Sequence, residues 1–113
     1  MHEMSIAQSV IDIVKEEMVK NNATILRSIR LHVGRMSAVV PESLIFCFEI
    51  ITSGTDLEGA KLNIHITPLK AYCPACHMEF EVRDYDFSCP DCGDTRIDTV
   101  SGQELSIVEI EVD

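Results

Sequence analysis

The chain has 113 residues, with nine Lys and Arg against 19 Asp and Glu, five cysteines and a net charge of −10. That length suits one domain or a small core with an appendage, and 46% hydrophobic residues exclude wholesale disorder. The negative balance argues against nucleic acid, whose phosphates bind Lys and Arg, and the short apolar runs exclude a bilayer-spanning helix. Met1-His2-Glu3 has neither the basic n-region nor the apolar stretch of a secretory signal. The expected location is therefore cytoplasmic, where cysteines bind metal or stay reduced.

Residues from about Met4 to Asn21 read as an amphipathic helix, with Ile6, Val10, Ile13, Val14 and Met18 at helical spacing and Asn21-Asn22 as a stop. Ile29, Leu31 and Val33 alternate with polar residues in a half-buried strand that ends at Gly34. Pro41 opens a second helix carrying Leu44, Cys47, Phe48 and Ile51 on one face, and Ser53-Gly54-Thr55 breaks it. Leu62, Ile64 and Ile66 form another alternating strand, closed by Pro68. A last strand runs from about Glu104 to Val112. This order predicts an α+β fold of two helices packed on a three-stranded sheet, with an inserted zinc-ribbon-like four-cysteine module before the last strand. The insert has too few large apolar residues for an independent core and needs a staple.

Charge is unevenly placed along the chain. Residues 1–70 hold seven Lys and Arg against eight acids, whereas residues 71–113 hold only Arg83 and Arg96 against eleven. The second part also holds all the closely spaced cysteines, and four thiolates on one divalent ion would add about −2. Such a surface repels nucleic acid and anionic lipid, and suits a basic protein partner or simple solubility.

Cys73-Pro74-Ala75-Cys76 and Cys89-Pro90-Asp91-Cys92 are two knuckles whose sulfurs can converge on one ion as a tetrahedral four-sulfur shell. A closed shell suggests structural zinc, because no position is left for a reactive water. The second knuckle, followed by Gly93, also resembles rubredoxin, which keeps open an electron carrier with iron held by four cysteines; a zinc-ribbon protein-interaction module is the third reading. Cys47, alone on an apolar helix face, reads as a small core residue. His77 reads as an exposed residue after its knuckle or as a titratable neighbour of the thiolates. His32 and His65 fall on the polar sides of their strands. No nucleophile–base pair or open metal shell is visible, so no enzyme is expected.

The amino terminus offers a second kind of ligand set. The α-amine of Met1, the two following amide nitrogens and the His2 imidazole can surround one ion in a plane of nitrogens, which selects Ni(II) or Cu(II) over zinc.

With both sites in view, the chain resembles the HypA/HybF family, nickel metallochaperones of [NiFe]-hydrogenase maturation. The resemblance spans the whole length: Met1-His2-Glu3, Gly34-Arg35-Met36-Ser37, Pro41-Glu42-Ser43-Leu44, Phe46-Cys47-Phe48-Glu49, the paired knuckles, and Ser101-Gly102-Gln103-Glu104-Leu105. It implies a nickel-binding α+β domain over 1–70 and 99–113 and a zinc-binding domain over 71–98. By the same resemblance nickel is held at Met1, His2 and Glu3, with His2 the essential side chain, and zinc by Cys73, Cys76, Cys89 and Cys92. The implied role is delivery of Ni(II) to the hydrogenase large subunit with a GTPase partner, HypB, some members also serving urease. Val40 stands where many relatives carry an acidic residue, and Gly93 where some carry a second His; Glu42 is a substitute ligand to consider.

Overall fold

In a computed structural model, which describes residues 2–113, the chain forms two compact units. The first comprises residues 1–32, 38–65 and 106–113, and the second residues 33–37 and 66–105.

The first unit is built by α1 (Glu3–Lys20), β1 (Leu26–Gly34), α2 (Pro41–Thr52), β2 (Lys61–Thr67) and β6 (Leu105–Val112), with one end of each strand counted in the second unit. Helix α1 ends where the sequence places its stop. Asn22 takes a left-handed backbone, its N–H donates to the Val19 carbonyl, and the Ala23 N–H donates to Met18 at 2.9 Å. These bonds satisfy carbonyls that the last turn leaves without helical partners. Pro41 opens α2 without loss of a backbone bond, because first-turn N–H groups have no helical acceptor.

The three strands lie in the order β2-β1-β6. Backbone bonds from Asp113 to Ile25 and from Gly34 to Glu104 show that β6 runs antiparallel to β1. Ile29, Leu31 and Val33 are all buried, as their alternation predicts. The α1 core face is rotated from the expected one: Ala7 and Ile11 are buried with Val10, Val14 and Met18, whereas Ile13 is 48% exposed. Along α2 the buried residues are Leu44, Phe48 and Thr52, the last donating to the Phe48 carbonyl at 2.9 Å. Cys47 and Ile51 are only half-buried.

The second unit adds a sheet that the expected single three-stranded sheet does not include. Strands β3 (Lys70–Cys73), β4 (Met78–Glu81) and β5 (Asp98–Ser101) are ordered β4-β3-β5, with β3 antiparallel to both neighbours. These strands have only four residues each, too short for alternation to announce them. Their apolar cluster is small: Leu69, Ala71 and Val82, with Phe80, Phe87 and Ile97 against it.

Two glycines set a close chain crossing within this unit. The Met36 N–H donates to the Gly102 carbonyl at 2.7 Å, and a Cβ on Gly34 would lie 2.2 Å from Gly102 backbone atoms. Gly102 has a φ of +106° and a Cβ there would meet the Leu69 backbone at 2.6 Å, so a side chain fits at neither position. The two glycine-bearing segments singled out in the sequence are thus the two sides of one contact.

Grouping by unit also corrects the expected concentration of charge. The first unit carries five cationic and eleven acidic side chains, and the second four and eight. Glu109, Glu111 and Asp113 belong to the first unit, where Arg30 pairs with Glu109 at 3.2 Å and Arg27 with Asp113.

Candidate metal centre

The Cys-x-x-Cys spacing produces two turns of the same shape. The β3–β4 hairpin carries the first, where the His77 N–H donates to the Cys73 carbonyl at 2.8 Å. In the second, the Gly93 N–H donates to Cys89 at the same distance. The residue after each knuckle is left-handed, at φ 56° for His77 and 75° for Gly93, so glycine suits this place and histidine tolerates it. Asp94 closes the second turn, its carbonyl accepting the Cys89 N–H at 2.9 Å and its carboxylate the Arg96 N–H, also at 2.9 Å.

These turns bring the sulfurs of Cys73, Cys76, Cys89 and Cys92 within 4.8 Å of one another. Two of the separations are 3.7 Å (Cys73–Cys92) and 3.8 Å (Cys76–Cys89). A tetrahedron with metal–sulfur bonds of about 2.3 Å has edges of about 3.8 Å, so the thiols fit a closed four-sulfur shell. Cys73 and Cys89 are buried, Cys76 is half-buried and Cys92 exposed.

The thiols are electrostatically unequal. Backbone N–H donation, led by Cys92, brings Cys89 down to about 7, while hydrogen bonding to Cys92 and burial push Cys76 up to about 12. A cation that binds all four sulfurs displaces the protons they carry.

His77 lies outside the sulfur shell. It is exposed, with Nδ1 3.2 Å from the Tyr72 hydroxyl. The sequence gives no sign of this contact, which arises because the first knuckle turns the chain back between Tyr72 and His77.

At the other end of the chain, Met1 falls outside the described residues. His2 is exposed at the start of α1; its carbonyl accepts the Ile6 N–H at 2.9 Å and its side chain makes no capping bond. Glu3 begins the helix, where an acidic side chain is favoured by the helix dipole. Its Oε2 accepts the Val40 N–H at 3.3 Å. Val40 is therefore next to Glu3 in space.

The fold and the thiol shell together define a small α+β metal-binding protein. Residues 1–112 match the HypA family, described as hydrogenase/urease nickel incorporation, metallochaperone, and the chain belongs to that family. Hydrogenase maturation factor HypA of Streptomyces avermitilis is 46% identical over 112 residues, covering 97% of this chain and 86% of its own. The factor of the same name from Geobacter sp. strain M21 is 42% identical over the full length of both. Two solution structures share the fold. The Ni metallochaperone HypA from Helicobacter pylori has a TM-score of 0.69 at 23% identity, over 99% of this chain and 97% of that one. A second, described as HypA protein, has a TM-score of 0.74 at 24% identity, over 99% and 96%. Family membership makes this chain a metallochaperone of nickel incorporation, a carrier and not an enzyme. No described helix is long and apolar enough to cross a membrane.

Proposed function

We propose that this chain binds Ni(II) at its amino terminus and delivers it, in the cytoplasm, to the large subunit of [NiFe]-hydrogenase during maturation. The GTPase HypB is the proposed partner, with urease maturation factors as further recipients. His2 supplies the essential imidazole, the Met1 amine and the following amides complete a plane of nitrogens, and Glu3 adjoins them. The observation that carries this reading is the exposed His2 side chain, uncommitted to helix capping and directly before a Glu3 anchored on Val40. Nickel is cargo here. A few donors on an exposed terminus allow it to be taken up and then surrendered to a more completely enclosed site.

Cys73, Cys76, Cys89 and Cys92 hold a structural Zn(II), for which the sulfur spacing is suited. The zinc-binding domain is then 71–98, and the nickel-binding domain 1–70 with 99–113. Bound zinc adds a fixed charge to that domain and ties its two turns together. The turns themselves are positioned by backbone bonds from His77, Gly93 and Cys89.

Equilibrium dialysis with Ni(II), followed by metal analysis, tests both assignments. His2→Ala is expected to bind one equivalent of nickel fewer than the wild-type chain while keeping one zinc and the wild-type circular dichroism. Equal nickel uptake by the variant overturns the amino-terminal site. A coloured, redox-active protein containing iron overturns the zinc assignment.

A further inference from the structure

We propose that His32 and His65 form a second binding site for a divalent transition-metal ion, on the polar face of the first sheet. The two residues lie on the neighbouring strands β1 and β2, and both fall in the polar phase of their strand's alternation. Their ring centres are 5.0 Å apart, with the planes inclined at 48°. An ion bound about 2.0–2.1 Å from one nitrogen of each ring, with the two bonds roughly 90–110° apart, separates the ring centres by about 4.5–5.2 Å. The observed spacing falls in that interval. Both side chains reach solvent, His32 half-buried and His65 exposed.

The surroundings suit a hydrated cation. The rings border a depression of about 250 Å³ that Arg30, Asn63 and Ile64 also line. Arg30 would repel a cation, but its guanidinium is engaged by the Glu109 carboxylate at 3.2 Å. Asn63, two residues before His65 on the same strand, offers a neutral amide to a metal-bound water. Imidazole suits Ni, Cu and Zn, and two protein ligands leave the other coordination positions to water. A paired β scaffold holds the ligands more firmly than a chain end does. The closed thiol shell would retain its ion, whereas this open pair would exchange one readily. None of these residues belongs to the thiol shell or the amino terminus, so the proposal stands apart from the nickel site at His2.

The test uses the full chain carrying His2→Ala, with metal at the four cysteines, titrated with Ni(II) and followed by NMR of the imidazole protons. Paramagnetic Ni(II) is expected to broaden the His32 and His65 signals together, ahead of His77. In His32→Gln the remaining His65 signal should require at least about tenfold more Ni(II), and the reverse should hold in His65→Gln, as expected for losing one of two ligands. If either remaining histidine responds at the unsubstituted protein's Ni(II) concentration, the histidines act singly and the shared site is overturned. Broadening of His77 before the pair overturns it as well. Nickel at His2 is read separately, as the difference in bound equivalents between the wild-type chain and His2→Ala, so failure of one site leaves the other standing.

Discussion

The two units of this protein are held together by different means. In the first, two helices and three strands bury many apolar side chains, among them Ile11, Val14, Ile29, Leu31, Leu44 and Phe48. In the second, the buried apolar cluster is little more than Leu69, Ala71 and Val82, and two of the four converging cysteines, Cys73 and Cys89, are themselves buried. Burial of apolar area stabilises the one, and ligand convergence substitutes for a large core in the other. The difference teaches that metal content and helix packing should fail separately.

Removing the ion from the thiol shell is expected to have the largest effect. Binding free energy of structural zinc is of order 10 kcal/mol in small zinc modules, and much of it is folding free energy. Hydrogen exchange after chelation should show lost protection in β3–β5 and retained protection in α1, α2 and β1. Simultaneous loss of protection in both units would break the comparison.

Gly34→Ala should come next. Its Cβ has no room against Gly102, and overpacking of this kind typically costs about 1–3 kcal/mol. The expected readout is a lower denaturant midpoint for the second unit, with easier loss of its metal to chelator, while the first unit's helical transition moves less.

Glu104→Gln should have the smallest effect and adds a pH signature. The Thr67 hydroxyl and the Gly102 N–H donate to the Glu104 carboxylate, holding it below the usual carboxylate range. A depressed carboxylate stabilises the folded state above its unfolded value of about 4.3, and that contribution disappears as pH falls through the lower folded value. The variant should melt a few degrees lower at pH 7 and converge on wild type in acid. Because acid also displaces metal from thiolates in both proteins, the difference between the two melting curves is the quantity to follow. A difference unchanged between pH 7 and pH 3 would reject the role given to this carboxylate.

Much of this molecule is legible residue by residue. The Asn21-Asn22 stop, Pro41 at the second helix start, the Ile29-Leu31-Val33 alternation and the doubled Cys-x-x-Cys all report local requirements of backbone or ligand geometry. The short strands β3 to β5 are not legible in this way, because four residues carry no usable period. The burial of Ala7 and Ile11 in place of Ile13 also escapes the pattern, since several apolar faces of α1 compete and packing selects among them. The charge distribution misleads when divided by residue number, because the acids of β6 return to the first unit alongside Arg27 and Arg30.

By itself, then, the sequence determined the helices, the long strands, the two cysteine knuckles and the family resemblance, because each rests on neighbours within a few residues or on motif order. Only the tertiary structure decided that Gly34 meets Gly102, that Glu3 reaches Val40 and that His32 faces His65. Those pairs are 33 to 68 residues apart. Their meeting depends on strand order and chain crossing, which no local pattern encodes.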